Sequence, residues 1–412
     1  MPAPSGLPSA TEIPGEVTGE LYALDCSAEG PCRAEYLPDA VGDEPGWPVI
    51  VSGPCRGIAQ APDGSVYAAC DSEGEVLVHH LDSDGMALAG WPVRLPGSTA
   101  SVYSNLFTIG CGDDASSLVL TRGRSAVVAT VDDDEAVLHV LEPSGKPRPG
   151  WPRPFPGDAP GIDGIGGNGC RGFQPGPDES VLAWGYEGVE DDIALVASRT
   201  EFVVFEPDGR TRTGWPRGST GAASRPIFAD DGSVVYVSAS GKVWRHDVDG
   251  TIGRGWPFQL PTTVSPYLSP DDRIVAIAGE RGSQQAISLD ASGVVTDGWP
   301  VPLGVVQTRC LFGDTPCSGS VAPVFSGDGT LYAALNDGSV TAIGAAGDVL
   351  PGWPIGLGAG VHAVSLSVVD DARLVVTSAS CPANDVPCTG DETPIILVFG
   401  RGGPRVEVMT SS

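Results

Sequence analysis

The tripeptide Gly-Trp-Pro occurs seven times in this chain, with its tryptophans at Trp47, Trp91, Trp151, Trp215, Trp256, Trp299 and Trp353. A fixed phrase returning every 41 to 64 residues marks a repeat architecture. In such folds each copy is one supersecondary unit, and it buries its apolar face only against its neighbours. The residues before each tripeptide are alike as well: "LYALDCSAEG", "VLVHHLDSDG", "VLHVLEPSG", "FVVFEPDG", "VWRHDVDG", "AISLDASG" and "VTAIGAAG". Each is an alternating apolar run that ends in an acidic or small turn closed by glycine. Upstream of most lies a second hairpin: "APDGSVYAAC", "FADDGSVVYVSA", "SPDDRIVAIAG" or "FSGDGTLYAAL". Asp bonds the nearby backbone in such turns, and Gly accepts a positive φ. Each unit thus holds about four short strands, and no long stretch has a helical period.

Four antiparallel strands per unit, repeated in series, predict an all-β protein: a single β-propeller of four-stranded antiparallel blades. Seven blades are preferred, the last completed by an N-terminal strand near 20–25 or 33–39. Eight, with residues 16–53 as a short first blade, is the alternative. Residues 1–17 read as a flexible N-terminal segment and residues 18–412 as the propeller. Gly-Trp-Pro is expected on the outermost strand of each blade. Proline there removes a backbone donor and discourages strand addition. Glycine lets the next blade approach closely. Tryptophan fills the wedge between blades, and burying its roughly 200 Å² contributes at most about 5 kcal/mol.

Composition agrees. With 57 glycines, 38 prolines and 41% hydrophobic residues, the chain is turn-dense yet apolar enough for a core. Its net charge is −29, and Lys146 and Lys242 are its only lysines. Such a surface repels nucleic acid and anionic membranes, which excludes both as partners. No apolar run reaches the roughly 18 residues of a membrane span. The disc is expected to be monomeric.

Ten cysteines point to an oxidising compartment, hence to a secreted, periplasmic or cell-surface protein whose signal peptide has been removed. Cys26/Cys32, Cys310/Cys317 and Cys381/Cys388 are close pairs. Between Cys55 and Cys70 lie two strand-like runs about Ala61-Pro62-Asp63-Gly64. A regular hairpin that sets Ala61 opposite Gly64 also sets Cys55 opposite Cys70, within disulfide reach. Cys111 and Cys170 remain to pair across two insertions. Zinc is the alternative, but no CxxC occurs, and His79, His80, His139, His246 and His362 show no ligand spacing.

"LYALDCSAEG", "LDSDGMALAGW" and "LDASGVVTDGW" resemble the repeats of quinoprotein-like propellers, a superfamily that includes pyrroloquinoline-quinone dehydrogenases and an outer-membrane assembly lipoprotein. The resemblance covers roughly residues 18–410 and implies the propeller fold. This chain places Gly before and Pro after the Trp. It also lacks the adjacent Cys-Cys pair that many of those dehydrogenases carry, and no cofactor is expected.

Catalytic motifs are missing: there is no Gly-x-Ser-x-Gly, no phosphate loop and no metalloprotease helix. Paired carboxylates in "VDDDEA", "CGDDA", "VEDDI" and "VVDDA" fall in expected turns, where solvation is their ordinary fate. Asp82/Asp84 and Asp247/Asp249 offer fragments of a calcium loop, so calcium is the one metal this reading admits. Arginines are more informative. Arg56, Arg171, Arg225 and Arg309 fall between the outer strand of one unit and the inner strand of the next, and His362 holds a similar place in the last. That connection reaches the central mouth, where converging cations would focus an anion. The competing reading pairs each Arg with a nearby Asp. The function expected is a non-catalytic module that binds or scaffolds a protein or an anionic glycan-like ligand at the funnel. The alternative is a quinone-dependent dehydrogenase or a polysaccharide lyase or hydrolase using the same funnel.

Overall fold

The computed structural model describes residues 23–25, 33–35, 49, 51, 53, 55–99, 117–156, 172–309, 319–380 and 395–410, less short gaps at 133–134, 192–193, 222, 225, 262–265, 281–282, 307, 358–360, 370–372 and 401–402. Every helix or strand among them is a strand. The strands form seven antiparallel sheets in chain order, plus two short hairpins. The first sheet runs Cys55–Gln60, Val66–Ser72, Glu75–Leu81, Val93–Pro96, each strand bonded to the next. The others span 98–154, 172–220, 227–259, 266–304, 324–356 and 361–410. Apolar clusters lie between consecutive sheets. Val76, Val78 and Trp91 of the first pack with Leu118, Ala126 and Val128 of the second. Val275, Ile277 and Trp299 of the fifth pack with Leu331, Ala333 and Ile343 of the sixth. Sheets stacked face to face in sequence, each with its strand ladder confined to itself, are the β-propeller the repeat predicts.

Strand alternation fixes two faces. The turns joining inner to second strand and third to outer strand share one face. The second-to-third turns and the crossings between sheets share the other. On the first face the turns are uniform. In the inner turns an N–H donates to the carbonyl four residues on, from Ala61 to Ser65, Thr121 to Ser125, Gly176 to Ser180, Ala229 to Ser233, Ser269 to Arg273 and Ser326 to Thr330. The outer turns repeat the bond, from Asp82 to Met86, Glu142 to Lys146, Glu206 to Arg210, Asp247 to Thr251, Asp290 to Val294 and Gly344 to Asp348.

Gly-Trp-Pro lies in the connection leading into the outer strand, one step before the position expected from sequence. Its Trp-Pro bond is cis at Trp91, Trp151, Trp215, Trp256, Trp299 and Trp353. Proline there does not guard the sheet edge. Other prolines do so, since Pro96, Pro154 and Pro302 lie within outer strands and are exposed. The tryptophan has the wedge role expected. Trp91, Trp151, Trp215, Trp256 and Trp299 are each 7–8% exposed. Each indole Nε1–H crosses to the next sheet and donates to the second residue of its outer turn. The acceptors are the carbonyls of Pro143 (3.1 Å), Pro207 (3.0 Å), Val248 (3.1 Å), Ala291 (3.1 Å) and Ala345 (3.2 Å). A buried indole needs such an acceptor. Trp47 lies outside the described residues.

The motif glycine is required by the same contact. Gly150 has φ +88°, and a Cβ on it would overlap the Asp208 carbonyl of the next sheet, while a Cβ on Gly209 would overlap the Gly150 carbonyl. The same mutual exclusion holds between Gly90 and the 144–145 turn. A related contact appears at the N-terminal end. Gly53 meets the Asp71 carbonyl of the first sheet as Gly97 meets that of Val131 in the second, each six residues after a motif tryptophan.

The closing blade differs from expectation. The seventh sheet takes all four strands from the C-terminal part, Val361–Val369, Arg373–Ser380, Ile395–Gly400 and Gly403–Thr410. Among the described residues no N-terminal strand joins it. Ala23–Asp25 and Arg33–Glu35 pair with each other instead. Pairing between chain neighbours closes a far shorter loop than pairing across the whole chain.

Gly352 provides a control for the motif glycine, since it shares the position and φ (+86°) of Gly150 but a Cβ on it meets nothing within 4 Å. Gly150→Ala is expected to destabilise the protein by about 3 kcal/mol or more, from backbone strain plus overlap. Gly352→Ala should cost about 1–2 kcal/mol, from strain alone. Urea unfolding of both variants checks the difference.

Candidate functional site

Every enlargement of the described sheets begins and ends on the second face. The inner strand of the second sheet breaks after Thr99 and resumes at Leu118, both pieces pairing with Ala126–Asp132. The crossing to the third sheet leaves after Pro156 and returns at Gly172. In the third sheet, Val181–Asp191 and Ala194–Phe205 extend well past their neighbours, with a bulge at Glu187/Gly188. An additional hairpin, Thr308–Arg309 with Gly319–Ser320, precedes the sixth sheet. The seventh sheet carries a long connection between Ser380 and Ile395. The two insertions that hold Cys111 and Cys170 are the first two of these, and both cysteines lie outside the described residues.

The disulfide Cys55–Cys70 lies at the same face. The sequence named the right pair through an approximate register. The hairpin sets Gln60 opposite Val66 and Ile58 opposite Ala68, one residue off the expected alignment, because the loop has three central residues. A bulge at Arg56 restores the pairing, so that Cys55 faces Cys70. The other eight cysteines, Cys26, Cys32, Cys111, Cys170, Cys310, Cys317, Cys381 and Cys388, lie outside the described residues.

Of the five funnel residues, Arg56 is placed in full. Its Nε stands 3.5 Å from Asp71 Oδ2, and its side chain is 42% exposed. Asp71 also accepts the Thr99 N–H and hydroxyl, tying the first sheet to the second. The competing reading, an Arg paired with a nearby Asp, thus applies at Arg56, in a half-exposed pair of small energetic weight. His362 lies near the start of the seventh inner strand, opposite Ala379, and Arg309 lies in the additional hairpin, opposite Gly319. These backbones share the elaborated face. Arg171 and Arg225 lie outside the described residues.

The uniform face has a charge network that the sequence did not reveal. Its inner-turn carboxylates are engaged rather than merely solvated. Asp63 accepts from Ser65 and pairs with Arg124 of the second sheet. Glu179 of the third sheet accepts the Thr121 hydroxyl (2.6 Å), the Gly123 N–H (2.5 Å) and Arg148 (3.0 Å) of the second. Burial raises this carboxyl, but those bonds outweigh burial and hold it below the usual range. Arg124 and Glu179 both occupy left-handed backbone at φ 65°. Glycine fills that position at Gly64, Gly232 and Gly329 and Asp272 takes it at φ 61° in the fifth sheet, so two of the three strained residues are ones that reach back to the preceding sheet. Arg212 joins Asp178 to Glu206, Arg245 holds Asp231, and Arg273 holds Asp271 and the Gly329 and Ala345 carbonyls.

One group has the membership of a catalytic triad. Ser65 Oγ lies 2.7 Å from Asp63 Oδ1 and 3.1 Å from His80 Nε2. The order is wrong for nucleophile activation, because the carboxylate holds the hydroxyl and not the imidazole. Ser180 and Ser326 bond their turn aspartates in the same way, which makes the arrangement a turn device. In the calcium fragments, Asp82 Oδ1 accepts the Asp84 and Met86 N–H groups, and Asp249 Oδ1 accepts Thr251. Among the described residues no group of three or more His, Cys, Asp or Glu could hold a metal.

No protein-family model matches the chain, and no curated protein does. Several solved structures do. One is a streptogramin B lyase, 10% identical, TM-score 0.42, over 78% of this chain and 89% of the other. A second is BamB from Moraxella catarrhalis, 14% identical, TM-score 0.42, over 80% and 81%. A third is a quinoprotein alcohol dehydrogenase-like protein from Bacteroides thetaiotaomicron, 13% identical, TM-score 0.43, over 84% and 75%. At such identities the likeness concerns the fold.

The buried histidines set an acid limit. Burial pushes His139 down to about 4, and it lowers His79, His80 and His246 too. A histidine depressed below its unfolded value of about 6.5 takes no stability away above that pH and takes progressively more below it. His139 alone therefore removes on the order of 3 kcal/mol between about pH 6.5 and 4. His139→Gln, which keeps a partner for Thr130 Oγ1, should flatten the stability profile over that window. Denaturant titrations at stepped pH measure it.

Proposed function

We propose that this protein is an exported, non-catalytic binding module that holds its ligand, a protein or an anionic glycan-like molecule, on the elaborated face of the propeller. One observation carries the reading: all the described enlargements leave from one face, while the opposite face keeps twelve matched turns. Recognition is ordinarily placed on variable loops held by a rigid scaffold. The Cys55–Cys70 disulfide, at that same face, supports an oxidising compartment. Arg56, half exposed beside Asp71, presents a guanidinium there, and Arg171, Arg225, Arg309 and His362 are assigned to the same funnel.

The test uses the Arg56→Ala, Arg171→Ala double variant and polygalacturonate as the anionic probe. Binding measured by calorimetry should weaken by roughly tenfold or more, since each charged bond is worth about 1.5–3 kcal/mol, with little change in melting temperature. Unchanged binding removes the anionic ligand. A bound chromophore after adding pyrroloquinoline quinone and calcium, or unsaturated product from the polysaccharide, would replace the binding module with an enzyme.

A further inference from the structure

The uniform face is not uniform in chemistry. Six large apolar side chains are exposed among the described residues: Ile58, Met86, Val248, Ile252, Val294 and Val349. All but Ile58 belong to outer turns of that face or the residue just after them. Four of them, Val248 (45%), Ile252 (51%), Val294 (59%) and Val349 (45%), fall on three consecutive sheets, the fourth to the sixth. Single exposed aliphatics are ordinary, but four on adjoining turns form a patch. The adjacency is fixed by the inter-sheet locks. Trp256 bonds the Ala291 carbonyl, and Trp299 bonds that of Ala345, so the three turns are held side by side. Exposed Ala291, Ala345 and Ala346 extend the apolar arc. The same turns of the second and third sheets carry Ser144, Lys146, Asp208 and Arg210 instead.

Acid borders the arc. Asp247, Asp249, Asp297 and Asp348 are exposed around it. Bonds from Thr251 hold the Asp249 carboxyl below its usual range, and bonds from Val294 and Ser292 do so for Asp290, so both stay charged in mild acid. At its fourth-sheet end the arc runs into a groove of about 610 Å³ whose walls include Asp178, Glu206, Asp247, Val248 and Asp249. The groove is wide enough for a long side chain, and its carboxylates outnumber its one cation, Arg212, which is itself held by Asp178 and Glu206.

We infer that this arc is a second docking surface, whose partner is a basic amphipathic protein segment. Its aliphatic stripe rests on Val248, Ile252, Val294 and Val349, and its Lys or Arg side chains meet the bordering carboxylates and the groove. Charge complementarity selects this occupant. A second copy of a chain at −29 and an anionic membrane are both repelled. The ligand on the elaborated face and this partner would bind together, since they use opposite faces.

The experiment uses the full chain and two synthetic peptides of about 16 residues and equal charge. One carries leucines at helical spacing among lysines, and the other has serines in place of the leucines. The variant joins Val248→Ser, Ile252→Ser, Val294→Ser and Val349→Ser, all exposed positions that leave net charge unchanged. At physiological ionic strength it should bind the Lys/Leu peptide roughly tenfold or more weakly than the parent, and the Lys/Ser peptide equally. Asp247→Asn with Asp348→Asn should weaken both peptides. Hydrogen exchange of the parent should show protection by the Lys/Leu peptide at 247–252, 290–295 and 344–349. Undiminished binding by the fourfold variant, or protection elsewhere, overturns the proposal. So does self-association that the fourfold variant abolishes, or binding to anionic vesicles.

Discussion

The contact on which this molecule depends is the one between a motif indole and the backbone of the next sheet. It has two parts that need each other. The indole N–H reaches a turn carbonyl at 3.0–3.2 Å, and the glycines on both sides let the two backbones meet without side chains between them. Neither part works if the turn changes length. An added residue would move the carbonyl away from the indole, and any Cβ at Gly150 or Gly209 would force the sheets apart. The lock therefore fixes the outer turns of the second to sixth sheets at one geometry. Variation has to go elsewhere, and the strand order leaves only the opposite face for it. The contrast between the two faces follows from the packing of the wedge.

Charge is subject to a similar constraint. The protein has 52 carboxylates and 23 cations, so acids outnumber arginines wherever the two meet at the turns. Most described arginines on the uniform face are taken up this way, several between sheets. Arg124 to Asp63 and Arg148 to Glu179 link the first three sheets on that face. The half-exposed Arg124–Asp63 pair carries little energy, and the more enclosed Arg148–Glu179 pair specifies an arrangement more than it stabilises it. The left-handed Arg124 and Glu179 show the cost of that specification, since glycine would relax the backbone and lose the link.

How much of this was readable from the chain depended on the range of each interaction. The repeat, the turn glycines and the wedge tryptophan were legible because each is local or periodic. The Cys55–Cys70 pairing was legible because a hairpin is local, though the alignment behind it was one residue out and a bulge at Arg56 made up the difference. The inner-turn carboxylates that cross between sheets, Asp63 and Glu179, were not singled out. Their partners lie on other turns, as Thr121 and Glu179 do, and no pattern along the sequence joins such positions. The seventh sheet was misjudged for the opposite reason. A long-range closure by an N-terminal strand was favoured where the chain offered a local hairpin, Ile395–Gly400 with Gly403–Thr410. The proline of the motif was given an edge role that Pro96, Pro154 and Pro302 perform, because the motif was taken to lie on the outer strand and not in the connection before it.

The Cys55–Cys70 bridge fits this division of labour. On the uniform face the sheets are pinned by indoles and ion pairs, so the strand ends there need no covalent help. On the elaborated face no indole lock is described and the sheets are tied by bonds such as those of Thr99 to Asp71, while the first inner strand begins at a bulge that interrupts its ladder next to Arg56. A strand end with a broken ladder and an exposed ion pair is where local opening starts. The disulfide ties that strand to its neighbour at the first paired position. It thereby holds Arg56 and Asp71 at a fixed point of the elaborated face while the connections around them differ in length from sheet to sheet. In the binding reading proposed above, such a face can vary and still present one cation in a constant place, because that cation is anchored by a bond that does not depend on the loops.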